Sequence, residues 1–560
     1  MKKACFMKKL LFKNNDINKW VAVAVAFLAV VLKLILAWGQ YATVYPPLAP
    51  IDDHLMFTAA QNIVAGNWLG EYSWLTISKH MFFAVWLAFL HIVKVPYMVG
   101  NMALWAVACA FAVKAVKPVI SKNWQRLFVF LGLLYNPAMS AQYATRIYRD
   151  AIFPSLCLMF VAGVLAVGLR YRENVKTWLG WLVLYGASFG CIYLCREDGM
   201  WIIPLFAAAF VIVAGLLIFE KQKQLAVKIV AMALPFAISG AIIAGYCYMN
   251  YIHYGLFATS DFSQGSFTAA YGAMTSLQQD NWHPLVSVPQ DVREDVYAVS
   301  PAFAQLKNDI DSDWFHNRYV NDNIGDYGSG SLYWAMREAA RTAGHYESAA
   351  SAQQYFDTIY NDIQTAVDNG TLHTTNGKTK LRNSVTPPIK LEYVPDVLGE
   401  TFAGFKVVML FEQCDPLAER AVGYPEEIRE VEDFIRQSGA VAMIENTDIP
   451  YLSPVRGLMH TVLRRFVQIY RYCIPVMFVI ALLWQIRKLR WDIFAKRFDG
   501  ESMLNIIMLG LVGMALLRCA MIAFVEVASF NIGTYVMYLS TVHPLVILYS
   551  FIGFVKTFEY

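Results

Sequence analysis

The chain has 560 residues, of which 57% are hydrophobic and 16% charged, with a formal net charge of +4 at pH 7. A water-soluble globule of this length carries about a quarter charged residues, which excludes a soluble enzyme, and the charge balance points to no nucleic-acid partner. Several apolar runs approach the roughly 20 residues needed to cross a bilayer, so the chain reads as an all-α polytopic membrane protein.

In chain order, the basic stretch "MKKACFMKKLLFKNNDINK" precedes the apolar run "WVAVAVAFLAVVLKLILAWGQY". That run is long for a signal-peptide core and lacks a small-residue cleavage site, so it reads as a retained first span. Further apolar segments lie near 79–94, 96–116, 125–143, 150–169, 178–195, 199–219 and 227–252. A polar stretch of about two hundred residues follows, far beyond loop length. Three more apolar segments lie near 466–486, 503–525 and 533–556. The expected organisation is a membrane module over 1–252 with an outer loop at 46–78, an extracytoplasmic α or α+β domain over 253–462, and closing spans over 463–560.

Lysine and arginine in short loops mark the cytoplasm. The basic loops are the N-terminus, "KAVKPVISKNWQR", "RYRENVK", "EKQKQ" and "RKLRWDIFAKR". With all five inside, residues 79–116 cross once and the chain crosses ten times. Eleven crossings result if both apolar segments of 79–116 span. The N-terminus is then cytoplasmic and the large domain extracytoplasmic. This scheme uses positive charge alone, yet it gathers every juxtamembrane acidic cluster on the outer side.

The nine cysteines offer no disulfide framework or zinc site: most lie in apolar runs, and Cys191 and Cys195 share a helix face where packing is the simpler reading. Within the outer region, "SLYWAMREAARTAGHYESAASAQQYFDTIYNDIQTAVDNG" has helical spacing and a glycine stop. The Asn-Gly pair in "TLHTTNGKTKLRNSV" suggests a hairpin. No GxGxxG or P-loop pattern marks a nucleotide site.

Four clusters carry chemistry. In "PIDDHLMFTAAQNIVAGNW", a short helix ending at Gly66 is expected, with Asp52 or Asp53 at its N-cap. One reading is a cap. The other makes one carboxylate a general base and the second a support for the acceptor or for a metal ion. Lys79 opens the next apolar segment and either snorkels or binds a phosphate. "YATRIYRD" places Arg146, Arg149 and Asp150 at an outer edge, against the positive-inside bias, as an ion pair or a phosphate site. "CREDG" sets Arg196, Glu197 and Asp198 into some forty nearly continuous apolar residues, where charge is costly and usually functional. Lys33, deep in the first span, could snorkel or pair with an acid, and Glu526 and His543 also fall near the outer face.

Taken together, the acidic pair in the first outer loop, "GNWLGEY", Lys79, "RIYRD", "REDGMWIIP" and "SFNIGTYVMYLSTVHPL" resemble membrane glycosyltransferases of the GT-C superfamily. The likeness is to bacterial family 39-like members related to protein O-mannosyltransferases and aminoarabinose transferases. It covers the first 220 residues and the last 60, while the middle domain has no counterpart. Two departures stand out: "HMFF" follows Lys79 where close relatives have a proline pair, and the outer domain interrupts the membrane region. The resemblance implies a GT-C-like fold in a bacterial plasma membrane. It implies an inverting transfer from a polyprenyl-phosphate or diphosphate sugar to a glycan, lipid or protein acceptor in the cell envelope. Asp52 would be the base, with Asp53 beside it. Lys79, Arg146, Arg149 and Arg196 would hold donor phosphate, with Asp150, Glu197 and Asp198 in support. Mg2+ or Mn2+ at Asp52 and Asp53 is compatible with this pattern. A transporter or flippase of lipid-linked sugars, or a membrane-anchored binding or scaffold protein, are the alternatives.

Overall fold

The computed structural model describes residues 12–13, 16–321, 323–447, 449–495, 500–531, 533 and 536–558. The N-terminal residues 1–11, with Cys5 and most of the basic tail, lie outside it, as does part of the basic loop at 487–497.

Apolar runs become helices because a backbone in lipid must satisfy its own N–H and C=O groups. The membrane part begins with α1 (Lys19–Trp38), followed by α2 (Asp53–Val64), α3 (Phe82–Ile92), α4 (Tyr97–Ala115) and α5 (Asn123–Leu134). It continues with α6 (Phe153–Leu169), α7 (Leu179–Cys195), α8 (Ile203–Phe219) and α9 (Leu234–Tyr254). The polar stretch between α9 and α14 contributes α10 (Ser329–Thr342), α11 (Ala349–Asp368), α12 (Val394–Met409) and α13 (Pro425–Ile435). The closing spans are α14 (Pro454–Ala495), α15 (Gly500–Val525) and α16 (Val542–Thr557). Among the described residues the only strands are two pairs of two residues each. The protein is all-α and integral to a membrane: among the described residues, six helices are long and apolar enough to cross one by themselves. α3 has eleven residues. At about 1.5 Å per residue it rises roughly half the apolar thickness of a bilayer, whereas α4, with nineteen residues, is long and apolar enough to cross one.

Two apolar cores result. The larger runs through the membrane helices, and the smaller gathers residues between Phe267 and Leu381. The stretch 253–462 divides between them, since Val408, Phe411, Ile428 and Ile435 belong to the larger core. α12 runs alongside the closing spans, with Tyr393 just before it 6.0 Å from the Phe524 ring and Phe405 6.0 Å from Phe478. α13 packs on the first module, where Phe434 stacks on His91 at 4.1 Å. Asp396, Glu400 and Lys406 give α12 the look of a surface helix in sequence, and its apolar stripe finds a partner only in the folded chain.

The helix expected over 331–370 is two helices. Gly344, at φ +84°, breaks it, and Ser348 restarts it as α11 with a capping box. The Asn-Gly turn forms, with Gly377 at φ +62°, but Thr374 bridges to Leu277 and no hairpin results.

α14 and α16 approach so closely that a Cβ on Gly553 would lie 2.2 Å from the Ala481 Cβ and 2.6 Å from its Cα. Backbone cannot swing aside as a side chain can. Gly553→Ala is therefore expected to cost about 1–3 kcal/mol through helix displacement, visible as a lowered unfolding midpoint in detergent.

Candidate active site

The acidic pair sits where the chain leaves the first span. Residues after α1 run extended, with Thr43 N–H donating to the Thr145 carbonyl at 3.1 Å, and this pairing sets Arg146 beside the start of α2. Asp52 occupies the N-cap position of α2, but its side chain makes no capping hydrogen bond. Its carboxylate turns toward the site instead. Oδ1 accepts from Lys79 Nζ and, at 2.8 Å, from the Tyr148 hydroxyl, while Oδ2 lies 3.5 Å from Arg146 Nη2. Asp53 Oδ1 takes Arg146 Nε and Nη2, both at 2.7 Å, and Asp53 Oδ2 is buried without a partner.

From this pair a network continues inward. Tyr148 accepts from Arg149 Nη2 at 2.7 Å, and Arg149 Nη1 donates to Glu197 Oε2 at 2.6 Å. Glu197 Oε1 accepts the backbone N–H of His80 at 2.8 Å and so pins the residue next to Lys79. Arg196 holds Asp150 through both carboxylate oxygens at 2.8 and 2.9 Å and Asp198 at 2.7 Å. Arg518 of α15 reaches Asp198 Oδ2 at 2.8 Å and donates to the Tyr538 carbonyl at 3.1 Å. The candidates of the four sequence clusters thus fall into two hydrogen-bonded sets, one around Asp52 and one around Arg196, set side by side because Arg149 adjoins Asp150 and Arg196 adjoins Glu197 in the chain.

Lys33 lies apart from this network. It neither snorkels nor meets an acid; it is buried and donates to Ser140 Oγ at 2.5 Å. His543 is also apart, buried against Phe411 at 5.0 Å.

Helix α10 and the chain after α9 cover this end. The Trp334 ring of α10 lies 5.5 Å from Lys79 Nζ. Arg337, fully buried, pairs with Asp261 at 2.9 Å and donates to the Trp74 carbonyl, while Asp261 N–H donates to the Ile77 carbonyl at 3.0 Å. The stretch of chain that carries Lys79 is therefore clamped by Arg337 and Asp261 before it and by Glu197 just after it.

Electrostatics separate the two aspartates. Burial pushes the Asp52 carboxyl up, but Lys79, Arg146 and the Tyr148 hydroxyl reverse this and hold it well below the usual carboxylate range. For Asp53 burial outweighs Arg146 and lifts the carboxyl to about 7. The side chain of Asp52 is 31% exposed and that of Asp53 only 6%. A substrate can therefore reach Asp52, while Asp53 acts through Arg146. Burial also keeps His80 below its ordinary pKa. Its ring bridges the Tyr193 carbonyl and Thr259, which makes it a fastening of the Lys79 segment.

The pair does not fit a divalent cation. Lys79, Tyr148 and Arg146 occupy the carboxylate oxygens, leaving one open, and no three His, Cys, Asp or Glu side chains converge among the described residues. A cation of this kind asks for six oxygen ligands.

Sequence reasoning missed Tyr148, Arg518 and the α10 roof. Arg518 had a signal: it is a lone arginine in the apolar run 503–525, and charge at that depth is rarely incidental. Tyr148 and Trp334 had none, because each matters only through neighbours far away in sequence.

The sequence matches no family model and no curated protein. Two solved structures align with most of the chain. ArnT from Cupriavidus metallidurans in the apo state shares 13% identity, over 95% of this chain and 77% of that one, with a TM-score of 0.33. ArnT from the same organism bound to undecaprenyl phosphate shares 12%, over 95% and 78%, with a TM-score of 0.29. At this level of superposition no residue role is carried across, and the site rests on its own geometry.

Proposed function

We propose that the protein is a membrane glycosyltransferase that moves a sugar from a polyprenyl-phosphate or diphosphate donor to an acceptor hydroxyl on the extracytoplasmic face, with Asp52 as general base. The observation that carries this is the placement of Asp52. It is the accessible carboxylate of the pair, and Lys79, Arg146 and Arg149 surround it within one hydrogen-bonded network.

The acceptor oxygen attacks the anomeric carbon, and its proton passes to the Asp52 carboxylate. The bond from that carbon to the phosphate oxygen breaks, with inversion. The electron pair leaves on the lipid phosphate, which Lys79 and Arg149 stabilise; charge stabilisation of this kind is usually the largest catalytic term.

Lys79, Arg146, Arg149, Arg196 and Arg518 face Asp52, Asp53, Asp150, Glu197 and Asp198, so once Asp53 is ionised cations and carboxylates balance one for one. An arriving phosphate must take a cation from a carboxylate. Lys79 is the one suited to exchange, because its flexible point charge serves either anion. When it turns to the phosphate, Asp52 loses its strongest partner and becomes a better base at the moment a donor is present.

The function is tested by following label from polyprenyl-phosphate sugars in native membranes. A transferase yields a labelled hydrophilic product with a new glycosidic bond. Label that crosses the membrane still attached to the lipid overturns the reading in favour of transport.

The pH profile follows from Asp53. As pH rises through about 7 its carboxyl ionises, adds negative charge beside Asp52 and raises the basicity of that group. Initial rates over about pH 5.5 to 8.5 are expected to climb through an inflection near 7, as for any titrating group that tunes a base. Asp53→Asn is expected to remove the inflection.

A further inference from the structure

A cavity of about 700 Å³ is lined in part by Arg146, the arginine that pairs with Asp53. Arg146 is the shared wall: its guanidinium holds Asp53 at 2.7 Å and also lines the cavity. The remaining walls come from four separate parts of the chain: the extended segment after α1, the turn before Arg146, the segment between α12 and α13, and the turn before α16.

The chemistry of the lining is specific. Tyr45 and Tyr143 offer rings, Gln142 and Gln413 offer amides, and Asp415 and Glu419 offer carboxylates. Gln142 Nε2 donates to Glu419 Oε1 at 2.5 Å, and Arg464, behind the wall, donates to Asp415 at 3.0 Å. Gln413 is held at φ +55°, in the left-handed region where a side chain costs energy. Among the described residues, no lysine or arginine lines the cavity apart from Arg146, already paired with Asp53. Paired amides, carboxylates and aromatic faces are what hydroxyl groups on a ring ask for. A phosphate would bring its charge against Glu419 and Asp415 with no free cation in that lining to meet it.

We propose that this cavity is the acceptor subsite and that the acceptor presents uncharged sugar hydroxyls. The assignment rests on the transferase reading and names its acceptor class, a neutral glycan. Arg146 joins the cavity to the pair: it lines the cavity and its Nη2 lies 3.5 Å from Asp52 Oδ2, so an acceptor seated there must extend its reacting hydroxyl beyond Arg146 to meet the base.

The test is saturation-transfer NMR on the full chain in lipid nanodiscs, with maltose, lactose and cellobiose as neutral probes and glucose 1-phosphate as the anionic one. At least one neutral disaccharide is expected to receive saturation, and glucose 1-phosphate is not. Gln413→Ala and Glu419→Ala should each weaken the neutral signal by about fivefold, the worth of one hydrogen bond. Both side chains are exposed, so these variants keep the fold. Glu419→Lys should admit glucose 1-phosphate. Binding of glucose 1-phosphate to the wild type, no signal from any neutral probe, or a neutral signal unchanged by all three variants would overturn the proposal. Failure of the transferase reading shows separately: polyprenyl phosphate then does not bind, or its binding ignores Lys79→Ala, while the sugar signals stand.

Discussion

Asp52→Asn is expected to lower transfer from a polyprenyl-phosphate sugar by about 10²- to 10⁴-fold, the usual contribution of a positioned general base. The substitution keeps the shape of the side chain. The amide oxygen can still accept from Lys79 and from Tyr148, so the network that positions Lys79 stays closed. What is lost is the ability to take a proton. Rates should be compared at equal folded amounts, with donor binding measured in parallel, and binding should survive the change. Asp53→Asn should cost much less, because Asp53 is sealed behind Arg146. If Asp52→Asn retains wild-type rates in folded protein, Asp52 is not the base. If Asp53→Asn is the severe variant, the roles of the pair are exchanged.

The largest stability effect is expected at Asp150. Its side chain is 1% exposed, and both oxygens of its carboxylate accept from Arg196, itself 6% exposed. Asp150→Ala leaves the Arg196 guanidinium, in a dry site, with Asp198 alone, and losing two charge-assisted hydrogen bonds is expected to cost about 3 kcal/mol. Asp198 holds the other edge of Arg196 at 2.7 Å and keeps the arginine from leaving. Asp150→Leu combined with Arg196→Met removes both charges at similar volume. It should recover much of the loss, because no buried charge is then left unpaired and Asp198 keeps Arg518 as its partner. Unfolding midpoints of the single and double variants in one detergent decide this. A double variant no more stable than Asp150→Ala would mean the pair is not the source of the loss.

The membrane helices were legible because the bilayer imposes the same demand at every point of a span: a run of apolar residues with every backbone group satisfied internally. The charged positions of the site were legible for a related reason. Arg146, Arg149, Asp150, Arg196, Glu197 and Asp198 are expensive at a membrane edge, so their position in the amino-acid order is enough to mark them. Charge in a costly place is a local signal.

What stayed hidden depends on distant parts of the chain meeting. Asp52 looks like a helix cap in sequence and stands at the cap position, yet it caps nothing, because Lys79, 27 residues on, and Tyr148, 96 residues on, compete for its oxygens. α12 reads as part of a polar outer region until its stripe is set beside α14 and α15. The roof over Lys79 comes from Trp334, in a helix whose sequence pattern shows only an amphipathic face. By itself, then, the amino-acid order determined that this is a polytopic all-α membrane protein with costly charge at the edges of its spans, because hydrophobicity and charge act residue by residue. Only the tertiary structure decided which carboxylate is open to substrate, which cation answers it and which cavity lies beside it. Those properties belong to pairs of residues, and pairing is set by packing.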